Sequence, residues 1–278
     1  MFNFIWDTSG YFFWLLVVSL ICWLLERIFP WRKNQTAFRQ QIGQDFFWLI
    51  FNGHYAGVLI AYFTYWVVVQ INASLSLFDF PAPEQLNLLS HAPGWIQFIV
   101  FFILADFIEW SVHNLLHRIT WMWEFHKLHH SITIMDWIGS FRFHWMEIII
   151  YRTFKYVPLV ILGVNPQIIL TIAIIATLIG HLNHANLKWD YGIFRYVLNS
   201  PRFHVWHHDV ILQGQHGQNF AIVLSTWDWL FSTAYYPADI EQPDSLGFED
   251  IDKFPKGLIG RLFYPLSLVF SHAKSPGS

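Results

Sequence analysis

Three long stretches of the chain are almost free of charged residues. Residues 8–25 and 46–78 contain no Asp, Glu, Lys or Arg, and residues 95–112 contain only two acidic residues, both in their second half. A helix needs about 20 mostly apolar residues to cross a bilayer. The three stretches therefore predict membrane-spanning helices, and the second is long enough to include a turn near Asn72.

A fourth apolar block covers residues 145–180 and is interrupted by a strong turn signal. The sequence Gly-Val-Asn-Pro at 163–166 combines residues that favour turns. It predicts a helical hairpin with arms near 145–162 and 166–181. Residues 182–278 are mixed in character and predict a cap. The expected fold is therefore all-α: an integral membrane helical bundle with about four membrane passes, the last of them the hairpin, and a histidine-rich helical cap.

The basic residues favour one orientation of this bundle. The connection at 26–45 contains four basic residues, whereas that at 79–94 contains two acidic residues and no basic ones. Basic residues are enriched in cytoplasmic loops. We therefore expect the first connection and the cap on the cytoplasmic face of a bacterial inner membrane or the endoplasmic reticulum. We expect one integrated domain, with N-terminal transmembrane helices at 1–112 and a histidine-box region at 113–278 that includes the hairpin at 145–181.

Composition supports the membrane assignment. Hydrophobic residues make up 55% of the 278 residues and charged residues only 13%, whereas soluble domains usually contain about 25% charged residues. The net charge of −3 gives no indication of binding to nucleic acid. Cys22 is the only cysteine, which excludes cysteine-based zinc and iron–sulfur sites within the chain.

Eleven of the fifteen histidines lie between residues 113 and 208, in spaced clusters. The pattern is H-x-x-x-H once and H-x-x-H-H twice, at His113 and His117, at His126, His129 and His130, and at His204, His207 and His208. Residues three and four apart share a helix face, and imidazole binds iron, zinc, copper and nickel. Adjacent histidines diverge by about 100°, so that they can reach different metals. These eight donors, with His184 as a ninth, predict a site for two metal ions.

A pH-sensing histidine patch is the main alternative explanation of the clusters. Uncoordinated histidines buried at a membrane edge, however, would lose solvation without compensation. The Glu-x-x-His pairs of bundle-type di-iron proteins and the H-E-x-x-H motif of zinc proteases are both absent. The predicted site therefore depends mainly on imidazole. Asp106, Glu147, Asp209 and Asp228 are candidate acceptors for a ring N–H.

The order of these motifs resembles the fatty acid hydroxylase / sterol desaturase superfamily of integral membrane enzymes. The matching stretch runs from Asp106 to about Thr233 and includes the three clusters, Arg-Phe-His at 142–144, His-Ala-Asn at 184–186 and Trp-Asp at 227–228. The resemblance implies a non-haem di-iron oxygenase with a membrane bundle and a cytosolic cap. It also implies that the eight clustered histidines and His184 ligate two iron ions, for which zinc could substitute in a purified protein.

The resemblance leaves several positions around the site open. Five further residues are candidates for a ligand or for a hydrogen-bonding neighbour: His144, His181, Asp106, Asn186 and Asp228. His144 occupies a frequent family position, whereas His181 is additional to the family pattern. The sequence leaves open whether His144, His181 and His216 contact metal, and it assigns no substrate-binding residue.

The resemblance implies an O₂-dependent oxidoreductase, a monooxygenase of lipid metabolism that hydroxylates or desaturates a fatty acyl chain or a sterol-like lipid. The chain contains no G-x-G-x-x-G fingerprint, so we expect electrons from a separate partner: cytochrome b5, a ferredoxin or a reductase. A three-box membrane acyl desaturase and a non-enzymatic metal-binding or metal-transport membrane protein are the alternatives. Ala221 and Ser232 replace glycines that are usual in the family, and they leave open an inactive member.

Overall fold

The computed structural model describes residues 5–81 and 92–266. Within these ranges the chain forms helices joined by loops, and β structure is limited to one isolated bridge between Asp209 and Leu246. The α-helices are α1 (Tyr11–Ile28), α2 (Ile42–Ile50), α3 (Ala56–Ser76), α4 (Gly94–Arg118), α5 (Thr120–His130), α6 (Trp145–Ile161), α7 (Pro166–His184), α8 (Pro201–His204), α9 (Thr226–Leu230) and α10 (Leu258–Phe263). The all-α prediction is confirmed.

Four helical stretches of the described chain are long and apolar enough to cross a membrane: α1, the continuous stretch Ile42–Ser76, α4 and α7. Less than a third of each apolar window is buried inside the protein. Large side chains such as Leu24, Trp66 and Ile103 are exposed on these helices. Extended apolar surface of this kind is typical of contact with a membrane. The chain is therefore an integral membrane protein, as the sequence predicts.

The second spanning stretch differs from its prediction in two respects. A turn near Asn72 is wrong, because α3 continues through this residue to Ser76 without a Gly or Pro that would end it. Between α2 and α3, the segment Phe51–Tyr55 is a π-helix, a local widening that often accompanies a functional site. Asn52 in this segment donates from its side chain to the carbonyl oxygens of Phe141 and Phe143, at 3.0 and 2.8 Å.

The helical hairpin is confirmed, with arms α6 and α7. Gly163 adopts a φ of 73°, in the left-handed region that favours glycine. Asn165 then caps α7, because its side chain accepts a hydrogen bond from Gln167 N at 2.8 Å, and Pro166 begins the helix. The arm α6 has 17 residues and is not among the four candidate spans.

The N-terminal helices and the hairpin share a common interior. α1 packs along α7, α3 along α6, and α4 along both α5 and α6. One core cluster combines Leu15 of α1 with Ile138 and Leu182. Another combines Phe101 of α4 with Leu159 of α6. The ends of α4 and α7, which carry histidines, are therefore held in fixed positions relative to one another.

Residues 185–266 form a cap of loops and short helices around α5. Leu128 of α5 packs against Phe248 and Phe254 of the cap and against Trp48 of α2. The cap thus packs on the helix that carries the middle histidine cluster, whose three histidines are buried.

Candidate metal centre

The nine histidines that the sequence predicts as metal ligands come together in two compact groups. The first histidine group contains His113, His117, His126, His130 and His207. The second histidine group contains His129, His184, His204 and His208. Within each group, one potential ligand atom from each residue lies within 4.8 Å of the others. Three separate stretches of the chain, namely α4 with α5, the end of α7 and the last cluster, therefore converge on one site.

The tight connection between α4 and α5 builds most of the first group. His113 and His117 are four residues apart and share a face of α4. Only Ile119 separates the two helices, so that α5 turns back along α4. His126 Nε2 then lies 3.1 Å from His113 Nε2, and His130 Nε2 lies 3.2 Å from His117 Nε2.

The last cluster departs from the continuous α-helix that its spacing predicts. Pro201–His204 is α-helical, with Ser200 as its N-cap, but Val205–His208 is a 3-10 helix. His207 and His208 nevertheless belong to different groups. The expectation that adjacent histidines reach different metal sites thus agrees with the geometry, although the local helix type is different.

Hydrogen bonds on the outer side fix four of the rings. The outer nitrogens lie close to an acceptor: His113 Nδ1 at 2.6 Å from Phe220 O, His126 Nδ1 at 2.8 Å from Glu147 Oε1, His184 Nδ1 at 2.8 Å from Gly180 O, and His207 Nδ1 at 2.8 Å from Gln218 O. Because a carbonyl or carboxylate oxygen accepts, each Nδ1 donates and each Nε2 keeps its lone pair. Metal-ligating histidines are usually oriented in this way.

The second group contains buried nitrogens that have no partner within the described residues. These atoms are His129 Nδ1, His204 Nε2 and both ring nitrogens of His208. An unpaired polar atom in the interior costs free energy, because it loses its hydrogen bonds to water. A metal ion bound to these rings would remove part of that cost, so the donor set fits a metal.

Burial also determines the charge of the rings that lie outside the spanning helices. Desolvation is the main cause that lowers the pKa of six histidines well below the usual value: His126, His129, His130, His204, His207 and His208. These rings are therefore neutral at physiological pH. Neutral imidazole is the form that binds metal, and nitrogen donors of this kind suit iron or zinc.

The three histidines whose contact with metal the sequence leaves open lie outside both groups. Both ring nitrogens of His181 form hydrogen bonds with serine hydroxyls. Nδ1 contacts Ser140 Oγ, and Nε2 lies 3.1 Å from Ser19 Oγ. His144 Nε2 lies 3.1 Å from Leu262 O, and its Nδ1 accepts from a backbone N–H. His216 is half-buried in the cap. The geometry therefore gives His181 and His144 roles in packing.

Of the polar candidates, Glu147 accepts from a histidine ring as predicted, whereas Asp106, Asn186 and Asp228 contact other parts of the chain around the site. Asp228 accepts from Phe220 N and Ala221 N, at 2.9 and 2.8 Å, and thereby holds the segment whose carbonyl contacts His113. Asp106 accepts from Val223 N, Leu224 N and Trp227 Nε1. Asn186 exchanges two hydrogen bonds with the backbone of Arg32. The sequence predicts that these three residues contact the metal or its ligands. In the structure their hydrogen bonds go to other groups around the site.

Two asparagines to which the sequence analysis assigns no role support the last cluster. Asn199 donates to Ala221 O at 2.5 Å, and Asn219 donates to Phe203 O at 2.8 Å. The family pattern includes an Asn at 219, and its φ of 56° shows that this residue also forms a turn. Ser232 has a φ of 58°, which explains physically why glycine is usual there.

A cavity of about 950 Å³ opens beside the second histidine group. His184 and Glu147 line one end, and Val68 and Leu170 line the other. Its wall is formed by α1, the π-helical segment, α3, α6 and α7, and most of it is apolar. The cavity is therefore suited to an apolar chain that approaches the histidines from between the spanning helices.

Comparison with known proteins assigns a family to the central region of the chain. Residues 98–233, a little less than half of the chain, match the family model described as fatty acid hydroxylase. This region is therefore a fatty acid hydroxylase domain, and the resemblance seen in the sequence is confirmed. No solved structure matches the chain significantly.

Relatives with assigned activities cover the same region. An ornithine lipid hydroxylase of Rhizobium tropici is 30% identical over 63% of this chain and 52% of its own length. A very-long-chain aldehyde decarbonylase of Oryza sativa is 27% identical over 49% of this chain and 46% of its own. A methylsterol monooxygenase of Arabidopsis thaliana is 24% identical over 59% of this chain and 57% of its own length. The chain thus spans about half the length of these relatives.

Proposed function

We propose that this chain is a membrane-bound non-haem di-iron oxygenase that hydroxylates or desaturates a lipid, with O₂ and electrons from outside the chain. The position of His184 carries the proposal, because this residue belongs to the second histidine group and also lines the cavity. An apolar chain in the cavity would reach the metal centre directly. The names of the relatives, which act on lipids and sterols, support the same substrate class.

Each histidine group would hold one iron ion, and zinc could take the same donors in a purified protein. When bound, such a pair of ions supplies the activation of O₂ that attack on an unactivated C–H bond requires. The chain itself supplies placement. Glu147 and the backbone carbonyls hold the rings, and the apolar cavity wall orients the lipid and excludes water.

We place the histidine groups on the cytoplasmic side of the membrane. The connection at 26–45, with its four basic residues, supports this orientation. It lies on the same side as the cap, because Trp31 N donates to Asn186 O at 2.9 Å. A separate donor, such as cytochrome b5, a ferredoxin or a reductase, would deliver electrons to this face.

Two histidine substitutions test the proposal. His129→Ala and His207→Ala remove one ligand from each group, so both should lower the iron content and abolish O₂-dependent oxidation of lipid. Lys188→Ala is the control, since Lys188 forms an exposed ion pair outside both groups, and it should change neither. Iron is measured per purified protein, and the product by mass spectrometry of lipid extracts from cells with and without the chain.

The outcome also separates the alternatives. A gain of one oxygen atom by a lipid indicates hydroxylation, and a loss of two hydrogen atoms indicates desaturation. Full iron occupancy in both histidine variants would contradict the proposed centre. Metal flux into vesicles without any lipid oxidation would instead favour the transport alternative, which the compact burial of the histidines disfavours.

A further inference from the structure

One basic side chain in the wall of the apolar cavity has no ion-pair or hydrogen-bond partner within the described residues. Arg152 lies near the middle of α6 and forms part of the cavity wall. In the parts of the chain that the structure describes, no acidic group pairs with its guanidinium and no hydrogen bond engages it. A cation between spanning helices is unfavourable unless an opposite charge or water compensates it, and such residues usually serve function.

The acidic residues in the cavity wall have other partners within the described residues, and none of them forms an ion pair with Arg152. Lys155 Nζ and Glu109 Oε2, which also line the cavity, are 2.6 Å apart and neutralise each other. Of the other two acidic residues in the wall, Glu147 is engaged by His126 and Asp7 by Ser9. Within the described residues, the guanidinium of Arg152 therefore lines the cavity without an ion-pair partner.

We propose that Arg152 binds the acidic group of the lipid that the metal centre oxidises, either a carboxylate or a phosphate. This inference rests on the proposed function and names a chemical class for its substrate. The planar guanidinium matches both anions with two parallel hydrogen bonds. Because the surrounding wall is apolar, the remainder of the ligand is hydrocarbon.

The position of Arg152 also limits which carbon can be oxidised. Arg152 lies five residues after Glu147 on α6. Glu147 in turn contacts His126 of the first histidine group. Five residues span about 7.5 Å along a helix axis. An acidic group held at Arg152 therefore places carbons near the polar end of the lipid, and not the distant end of its chain, next to the histidines.

Binding measurements test this assignment without any turnover. Fluorescent cis-parinaric acid is bound to the purified, metal-loaded protein and displaced by palmitic acid, by hexadecyl phosphate or by the uncharged methyl palmitate. In the natural chain, at least one acidic ligand should compete about tenfold more strongly than the ester. Whichever acid competes better identifies carboxylate or phosphate as the recognised group.

Variants then assign the preference to one side chain. Arg152→Gln should remove the preference for acid over ester, and Arg152→Lys should restore part of it. Lys188→Gln, at an exposed ion pair outside the cavity, should keep it. Equal competition by acid and ester in the natural chain, or an unchanged preference in Arg152→Gln, would overturn the inference. Acid-selective binding that depends on Arg152, in a protein that never oxidises lipid, would instead support Arg152 as the acid-binding residue and defeat only the proposed function.

Discussion

At the scale of single residues, the sequence predicts which histidines meet better than it predicts how they are oriented. The spacing indicates the nine donors, and it also indicates that adjacent members diverge, as His129 and His130 do. The partners on the outer nitrogens are mostly backbone carbonyls, such as those of Phe220 and Gln218. No side-chain pattern encodes a carbonyl contact, so only the folded chain reveals these partners.

Glu147 is the exception, because it is the one side chain among the four acceptors on the outer nitrogens. Glu147→Ala removes the acceptor of His126, whereas Glu147→Gln keeps a carbonyl oxygen at a similar position. Loss of such a partner typically lowers metal affinity about 10- to 100-fold, so we expect Glu147→Ala to bind iron more weakly and Glu147→Gln to recover part of the affinity. Titration with iron, followed by metal analysis, measures both.

Glu124→Ala provides the control for this prediction. Glu124 lies on the same helix as His126 but contacts Lys127 and Tyr264 instead of a histidine. Its substitution should leave the affinity for iron unchanged. If Glu147→Ala and Glu124→Ala bind iron equally well, the carboxylate does not orient the ring.

At the scale of elements, long apolar stretches and the turn at Gly163 were sufficient to predict the spanning helices and the hairpin. The π-helical segment Phe51–Tyr55 could not be predicted from periodicity, because the residues that pack against it lie in other parts of the chain. Gly53 sits directly against Leu15 of α1, so close that an added Cβ would lie 2.2 Å from Leu15 Cδ2. This contact forms only when both helices are in place. The periodicity of a single helix therefore cannot predict it.

Gly53→Ala should therefore push α1 away from the π-helical segment. Leu15 is fully buried and cannot turn towards solvent, so we expect a loss of about 1–3 kcal/mol in the free energy of unfolding, as for other overpacked cores. Gly57→Ala is the matched control on the same stretch, since nothing lies within 4 Å of its added Cβ. Thermal unfolding in detergent should show a lower midpoint for Gly53→Ala alone.

At the scale of the whole molecule, buried ion pairs connect the first loop to the histidine region. Asp45 of α2 contacts Arg39 at 2.7 Å and Arg142 at 2.6 Å, and Arg39 also contacts Asp136 at 2.6 Å. Arg142 follows the middle histidine cluster in the chain and lies two residues before His144. The sequence shows these charged residues, but it does not show how they pair. They are far apart along the chain, and only the fold brings them together. The network therefore couples the membrane bundle to the site.

Asp45→Asn should show how much this coupling stabilises the protein. Removal of one partner leaves buried charge uncompensated, which typically costs 3–5 kcal/mol; here Arg142 loses its carboxylate partner, whereas Arg39 keeps Asp136. We expect a large decrease in the unfolding midpoint, whereas Asp250→Asn, at an exposed pair with Lys253, should change it little. Equal stability of the two variants would contradict a structural role for the network.

The orientation of the molecule in the membrane can be tested with single cysteines in closed vesicles. Asp79 and Lys253 are both exposed, and one crossing by α4 plus the out-and-back hairpin separates them. We therefore expect Asp79→Cys and Lys253→Cys to react with an impermeant maleimide from opposite sides, with Lys253→Cys on the cytoplasmic side. The native Cys22 is fully buried and serves as the unreactive background. Labelling of both positions from one side would mean that α4 does not cross, and cytoplasmic labelling of Asp79→Cys alone would place the histidine groups on the opposite face.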